Sequence, residues 1–243
     1  AADLMMLFLA MFGGQIAIGA VNELVDVELD RRSRPDKPLV SGLVSERGAR
    51  IMAVTGILLM VVGSLRFSLP ALALCALGTG IGIAYSFWFK RTPWSAVPYV
   101  LAIPLLPIWV WSALDTVPRA LLVLYPIAVP ALTALQIAQS IPDVEADARL
   151  GVQTLAVKVG EDTARWLAWG SILFSAAMAL LLAPAIGPEP VRLWVASVVA
   201  VGAVALNALI WRGNAHRGRL SMFPLMALAV GALGLGWVLA TIS

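Results

Sequence analysis

The chain has 243 residues, of which 60% are hydrophobic and 13% charged, with a mean hydropathy of +0.91 and a net charge of +3. That composition excludes an ordinary soluble domain; a bilayer core takes about 20 apolar residues per helix, so this length admits roughly eight spans. Cys75 is the only cysteine and lies in an apolar run, which excludes a disulfide framework or a thiolate metal centre within the chain.

The first apolar run, about 4–21, closes on Asn22-Glu23-Leu24-Val25-Asp26-Val27-Glu28-Leu29-Asp30 and then on a basic segment from Arg31 to Pro38. Residues four apart share a helix face, so Asn22, Asp26 and Asp30 form one stripe of oxygen donors at the membrane edge. Carboxylates are costly there unless they face a wet cavity, and several together attract a hard cation such as Mg²⁺. Runs over about 51–65 and 69–89 come next, the second carrying Tyr85-Ser86 and ending at Lys90-Arg91. In the runs 95–114 and 120–142, Pro104, Pro107, Pro126 and Pro130 predict kinked helices that can open a cavity. Gly13, Gly14, Gly78, Gly80 and Gly82 supply small surfaces for close helix contact.

The fifth run closes on a second stripe with the same spacing of amide, acid and acid: Gln139, Asp143 and Asp147, followed by Arg149 and Lys158. Runs over about 166–186, 191–211 and 220–242 complete eight. If the spans alternate in direction, 14 of the 17 Lys and Arg residues fall on one side, and the positive-inside rule puts that side, with both acidic stripes, in the cytoplasm. The expectation is an all-α, multi-pass transmembrane helical bundle forming one domain over 1–243. Its four-helix halves, 1–114 and 115–243, are related as a parallel repeat, with a site where repeats of this kind place one, at the interface of the halves. Trp88, Trp94 and Trp211 lie near predicted span ends and are read as interfacial anchors, and the lone His216 as solvated. The chain has no signal-peptide pattern and opens Ala1-Ala2-Asp3, which predicts further sequence upstream.

Each stripe taken alone is also consistent with a solvated helix end, and carboxylates alone could serve metal transport. The bases beside them change the reading. Arg and Lys hold phosphate while Mg²⁺ bridges carboxylates to phosphate oxygens, so the expected ligand is a diphosphate with an isoprenoid tail between the helices. Ionisation of its allylic carbon–oxygen bond leaves a carbocation and a diphosphate, and stabilising the departing anion is the main electrostatic task. Aromatic faces can stabilise the cation.

These residues resemble the UbiA superfamily of intramembrane prenyltransferases. Its first motif, NDxxDxxxD with a basic continuation, is similar to Asn22, Asp26 and Asp30 followed by Arg34-Pro35-Asp36-Lys37-Pro38-Leu39-Val40-Ser41-Gly42. Its second, DxxxD with a Gly and Thr-Leu, is similar to Asp143, Asp147, Gly151, Thr154 and Leu155, and a Tyr-Ser then Lys-Arg segment is similar to Tyr85-Ser86 and Lys90-Arg91. The resemblance covers the whole chain. It implies that Asp26, Asp30, Asp143 and Asp147 hold Mg²⁺ on the diphosphate, with Asn22 as a further ligand. It also implies that Arg34, Lys37, Lys90 and Arg91 contact phosphate and that Tyr85 stabilises the cation or binds the acceptor.

The implied partners are a prenyl diphosphate, an aromatic acceptor and the lipid bilayer, with no nucleic acid; Ile141-Pro142-Asp143-Val144-Glu145 is similar to the homogentisate and quinone branch. Two departures stand out. Glu23 occupies the place of the family's Asp after the Asn, and eight helices stand where the family has nine, the first missing. Rival readings are a UbiA-type terpene cyclase, a membrane cation transporter, which the basic cluster opposes, and a non-catalytic helical subunit.

Overall fold

The computed structural model describes residues 2–116, 118–187 and 190–242. Among them, the first three helices are α1 (Ala2–Ser33), α2 (Glu46–Ser64) and α3 (Leu69–Ala84), the last running into a π-helical turn at Tyr85–Phe89. Then come α4 (Ala96–Ala113), α5 (Leu124–Ser140), α6 (Val144–Arg149), α7 (Leu155–Val159), α8 (Glu161–Ile186), α9 (Val191–Gly213) and α10 (Ala215–Thr241). Short 3-10 turns at Arg119–Val123 and Ile141–Asp143 bracket α5. Among the described residues, eight helical segments are long and apolar enough to cross a membrane, as the composition predicted. The chain is an all-helical integral membrane protein of the multi-pass kind.

Several helices overrun their apolar stretches. Helix α1 continues through the Asn22–Asp30 stripe because its carboxylates add no helix breaker, and α10 starts at Ala215 because Asn214 caps it, its side chain accepting from the Arg217 amide at 3.0 Å. Ser45 and Ser68 cap α2 and α3 in the same way, accepting from Gly48 and Ala71.

The chain divides into two compact units, Ala1–Lys90 with Leu101–Val117, and Arg91–Val100 with Pro118–Ser243. In the first, α1 and α2 run antiparallel with their backbones in close approach. A Cβ on Gly56 would stand 2.6 Å from the Ala17 amide nitrogen, and one on Gly63 2.6 Å from that of Ala10. Ala10 and Ala17 are fully buried at these crossings. Small residues are the means by which membrane helices gain packing contact where lipid removes the hydrophobic drive. Gly56→Val should therefore cost about 1–3 kcal/mol or more, because the clash is with backbone that cannot rotate away. A melting temperature in detergent indistinguishable from wild type would contradict this contact. Trp109 and Ala113 of α4 pack with Leu7, Ala10 and Ala71 into the buried cluster of this unit.

In the second unit, α5 packs on α8, α9 packs on both α8 and α10, and α10 also touches α5 and α8. Asn207, fully buried in α9, ties the three last helices together. It accepts from Trp169 Nε1 at 2.9 Å and donates to the Gly218 carbonyl at 3.1 Å and the Ser221 hydroxyl at 3.0 Å. Trp211, expected as an interfacial anchor, carries the Arg165 guanidinium over its ring at 4.8 Å, with Trp169 at 5.4 Å. Trp88 and Trp94 are exposed, and His216 is exposed beside the α9–α10 turn.

Candidate active site

In the first unit the stripe on α1 is buried where the chain leaves its apolar run: Asp26 is 4% and Asp30 6% exposed. Buried carboxylates need charge partners, and two lysines from elsewhere in the unit supply them. Lys90 donates to Asn22 Oδ1 at 2.9 Å and pairs with Asp26 Oδ2, while the Ser86 hydroxyl donates to Asn22 Oδ1 at 3.4 Å. Lys37 lies 2.8 Å from both Glu23 Oε1 and Asp30 Oδ2. The Asp30 Oδ2 contact is a charge pair without hydrogen-bond alignment.

Local structure explains how both lysines arrive. After α1, the Arg34 amide donates to the Asp30 carbonyl at 2.7 Å, and the turn closes with Ser41 to Lys37 at 2.8 Å and Val44 to Pro38 at 3.0 Å, folding Lys37 back onto the preceding helix. Gly42 takes φ +81° to permit this reversal. Glu23, one methylene longer than the Asp of the family pattern, reaches Lys37. Burial draws the Lys37 pKa down, but the Asp30 and Glu23 carboxylates beside the ammonium outweigh it and hold it above its ordinary value. On the other side, the π turn widens the helix by one residue, its ladder closing with the Lys90 amide on the Tyr85 carbonyl at 2.9 Å. Ser86 is buried inside this turn and Tyr85, which opens it, is half-buried.

The face that carries the stripe continues along α1 as Ile18, Gln15 and Met11, and that of Ser86 continues along α3 as Gly82, Gly78 and Leu74; six of these residues line one apolar groove of about 120 Å³. The groove ends beside Trp109, whose indole N–H is buried without a partner. A Cβ on Gly78 would meet nothing within 4 Å, so that glycine leaves open space, whereas Gly82 lies against Ile18.

The second stripe differs from its expected form. Ile141-Pro142-Asp143 turns out of α5 as a 3-10 segment, so Gln139, Asp143 and Asp147 do not share one continuous helix. Gln139 accepts from the Tyr99 hydroxyl at 3.2 Å, Asp143 is exposed at the N-cap of α6, and Asp147 is half-buried within α6. Pro142 explains the break, since it cannot donate to the α5 ladder. Gly151 (φ +73°) and Gly160 (φ +84°) take conformations that other residues rarely adopt, and buried Thr154 caps α7, accepting from the Val157 amide at 3.4 Å. Arg91 is exposed, and its carbonyl accepts from the Gln153 amide at 3.2 Å within this second unit. Arg34 is exposed in the first.

The first unit thus gathers Asn22, Asp26, Asp30, Lys37, Lys90 and Ser86, and the second holds Asp143, Asp147 and Arg91. Among the described residues no three His, Cys, Asp or Glu side chains converge on a metal-binding point. The donor chemistry on α1 nonetheless suits Mg²⁺, which commonly takes one or two carboxylates and completes its shell with phosphate and water; Asp30 Oδ2, buried and held by charge alone against Lys37, suits such a donor. Sequence reasoning missed the π turn and the meeting of Glu145, Glu161 and Arg219 beside α6.

A model described as the UbiA prenyltransferase family matches residues 2–231. Digeranylgeranylglyceryl phosphate synthase of Natronomonas pharaonis is 30% identical over 199 residues, covering 79% of this chain and 69% of that protein. Naringenin 8-dimethylallyltransferase 2 of Sophora flavescens is 25% identical over 209 residues, with 79% and 50% covered. The chain thus spans between half and about seven-tenths of the lengths of these relatives. A UbiA homolog from Archaeoglobus fulgidus, solved bound to DMAPP and Mg²⁺, superposes with a TM-score of 0.73 at 17% identity, over 97% of this chain and 88% of that one. At that identity the shared property is the fold.

Proposed function

The chain belongs to the UbiA prenyltransferase family, and from its own residues we propose that it transfers a prenyl group from a prenyl diphosphate to a lipid-soluble acceptor. The observation that carries this reading is that, in the first unit, a cluster of acids and ammonium groups and an apolar groove lie one after the other along the same faces of α1 and α3. An anionic head with a hydrocarbon tail is the ligand that such a succession suits. Asn22 to Ala10 is 12 residues, or about 18 Å along α1 at 1.5 Å per residue, which sets the depth available to the tail.

Asn22, Asp26 and Asp30 in the first unit, and Asp143 and Asp147 in the second, are the residues proposed to hold Mg²⁺. When bound, the ion neutralises the diphosphate and stabilises it as it leaves. Lys37 and Lys90, already among the carboxylates, turn to phosphate oxygens, and Arg34 and Arg91 add charge. The carbon–oxygen bond of the allylic diphosphate breaks with both electrons on oxygen, the groove walls keep water from the cation, and Tyr85 presents its ring to it. The acceptor's nucleophilic atom bonds to the allylic carbon and gives up its proton, so that prenylated acceptor and diphosphate are the products. The acidic ends face the cytoplasm in this reading, as the charge asymmetry of the loops argues.

The acceptor expected from the sequence is an aromatic ring, the type that the name of the Sophora relative supports. A second reading, a glyceryl lipid hydroxyl, is favoured by the higher identity of the archaeal synthase, 30% against 25%. Purified protein incubated with prenyl diphosphates of graded length and both acceptor types, with Mg²⁺ or with chelator, decides between them by mass spectrometry. Transfer should vanish on chelation and return with Mg²⁺. Gly78→Phe, which projects into the groove, should discriminate against the longer tails. Products formed without any acceptor would point to a cyclase, and transfer undiminished by chelation would overturn the metal assignment.

A further inference from the structure

The helix that carries Asp147, with Asp143 at its N-cap position, is too short to hold its own direction. Helices below about 12 residues are marginal in isolation, and α6 has six. What its other faces touch therefore decides where the two acids point. Glu145, two positions from each of them, projects away from their common side. There its Oε1 lies 3.7 Å from Arg219 Nη2 at the start of α10, and its Oε2 lies 3.9 Å from Arg149 Nη2.

Arg219 is itself fixed. Its Nε donates to Glu161 Oε1 at 2.6 Å and its Nη2 to Glu161 Oε2 at 2.7 Å, the two-pronged geometry in which a guanidinium best holds a carboxylate. Glu161 lies in the first turn of α8, where the helix dipole favours negative charge. With Ile141 and Pro142 these side chains line a cavity of about 260 Å³ beneath the 3-10 turn and α6. Arg219 thus does more than join α8 to α10, because its Nη2 also faces a second carboxylate, that of Glu145, on the segment that bears the acids.

We propose that Arg219, immobilised by Glu161, is a positioning residue that holds Glu145 and thereby aims Asp143 and Asp147. The part of this that concerns magnesium rests on the function proposed above; the ordering of the segment does not.

The test uses the full chain in detergent, as wild type, Arg219→Gln, Arg219→Lys and Glu145→Gln. Amide hydrogen exchange across 141–153 should quicken about two- to fivefold in Arg219→Gln and in Glu145→Gln, the range for a partly exposed ion pair, while the interiors of α8 and α10 keep their protection. The Mg²⁺ concentration for half-maximal prenyl transfer should rise about tenfold in Arg219→Gln, the low end for loss of a group that orients metal ligands, and Arg219→Lys should restore most of it. Glu145→Gln leaves the Arg219–Glu161 pair in place. If it changes neither exchange nor Mg²⁺ dependence, the cluster is only a joint between α8 and α10 and the proposal is overturned. A wild-type chain that transfers no prenyl group would remove the functional reading, and the exchange result would still decide this one.

Discussion

Asp26→Asn is expected to lower prenyl transfer by about 10²–10³-fold at saturating Mg²⁺, the loss typical of removing one preorganised electrostatic partner. Asp26 is the most buried acid of the stripe and faces Lys90 with Asn22 beside it. Asn keeps the shape and an acceptor oxygen but removes the charge that would draw a divalent ion to the diphosphate. The same change leaves Lys90 its bond to Asn22, so the melting temperature should fall much less than the rate. Initial rates by mass spectrometry, read beside thermal unfolding in detergent, separate the two effects. A variant that keeps its rate to within about twofold would place the metal elsewhere.

Lys90→Met acts on the same pair from the other side and should be costly to the fold as well. It leaves the Asp26 carboxylate, 4% exposed, without its ammonium. Breaking a fully buried pair typically costs about 3–5 kcal/mol, but Lys90 is about one-third exposed, so about 1–3 kcal/mol is the discounted expectation. For a chain of this size that is a fall of about 2–12 °C in melting temperature. Activity should fall too, with a raised KM for the diphosphate, if Lys90 turns to phosphate as proposed. A Lys90→Met protein as stable as wild type would mean that Asp26 finds its compensation without Lys90.

The features legible in the sequence are those that periodicity and charge encode directly. The eight spans come from run length, and the Asn22, Asp26 and Asp30 face from steps of four along a helix that nothing interrupts. The second stripe shows the same spacing but not the same geometry, because Pro142 cannot donate to α5 and the chain leaves the helix there. Pro142 was visible, and its effect could have been drawn from it. Other features carry no local signature. Arg219 lies 58 residues from Glu161 and reaches it through the packing of α10 on α8. Gly56 and Gly63 look no different from Gly78 in sequence, yet two admit a backbone and one leaves a gap. Arg165 over Trp211 likewise depends on how α8 meets α9.

The wide turn at Tyr85–Phe89 has a consequence for how this part of the chain can vary. One residue more than an α-helical turn is spent between Ala84 and Lys90. Removing any single residue there would rotate Lys90 about the helix axis by about 100°, enough to swing the ammonium away from Asn22 and Asp26 without altering one chemical group. In that short interval the count of residues matters as much as their kinds, and a chain that kept every functional side chain could still lose the site by being one peptide shorter.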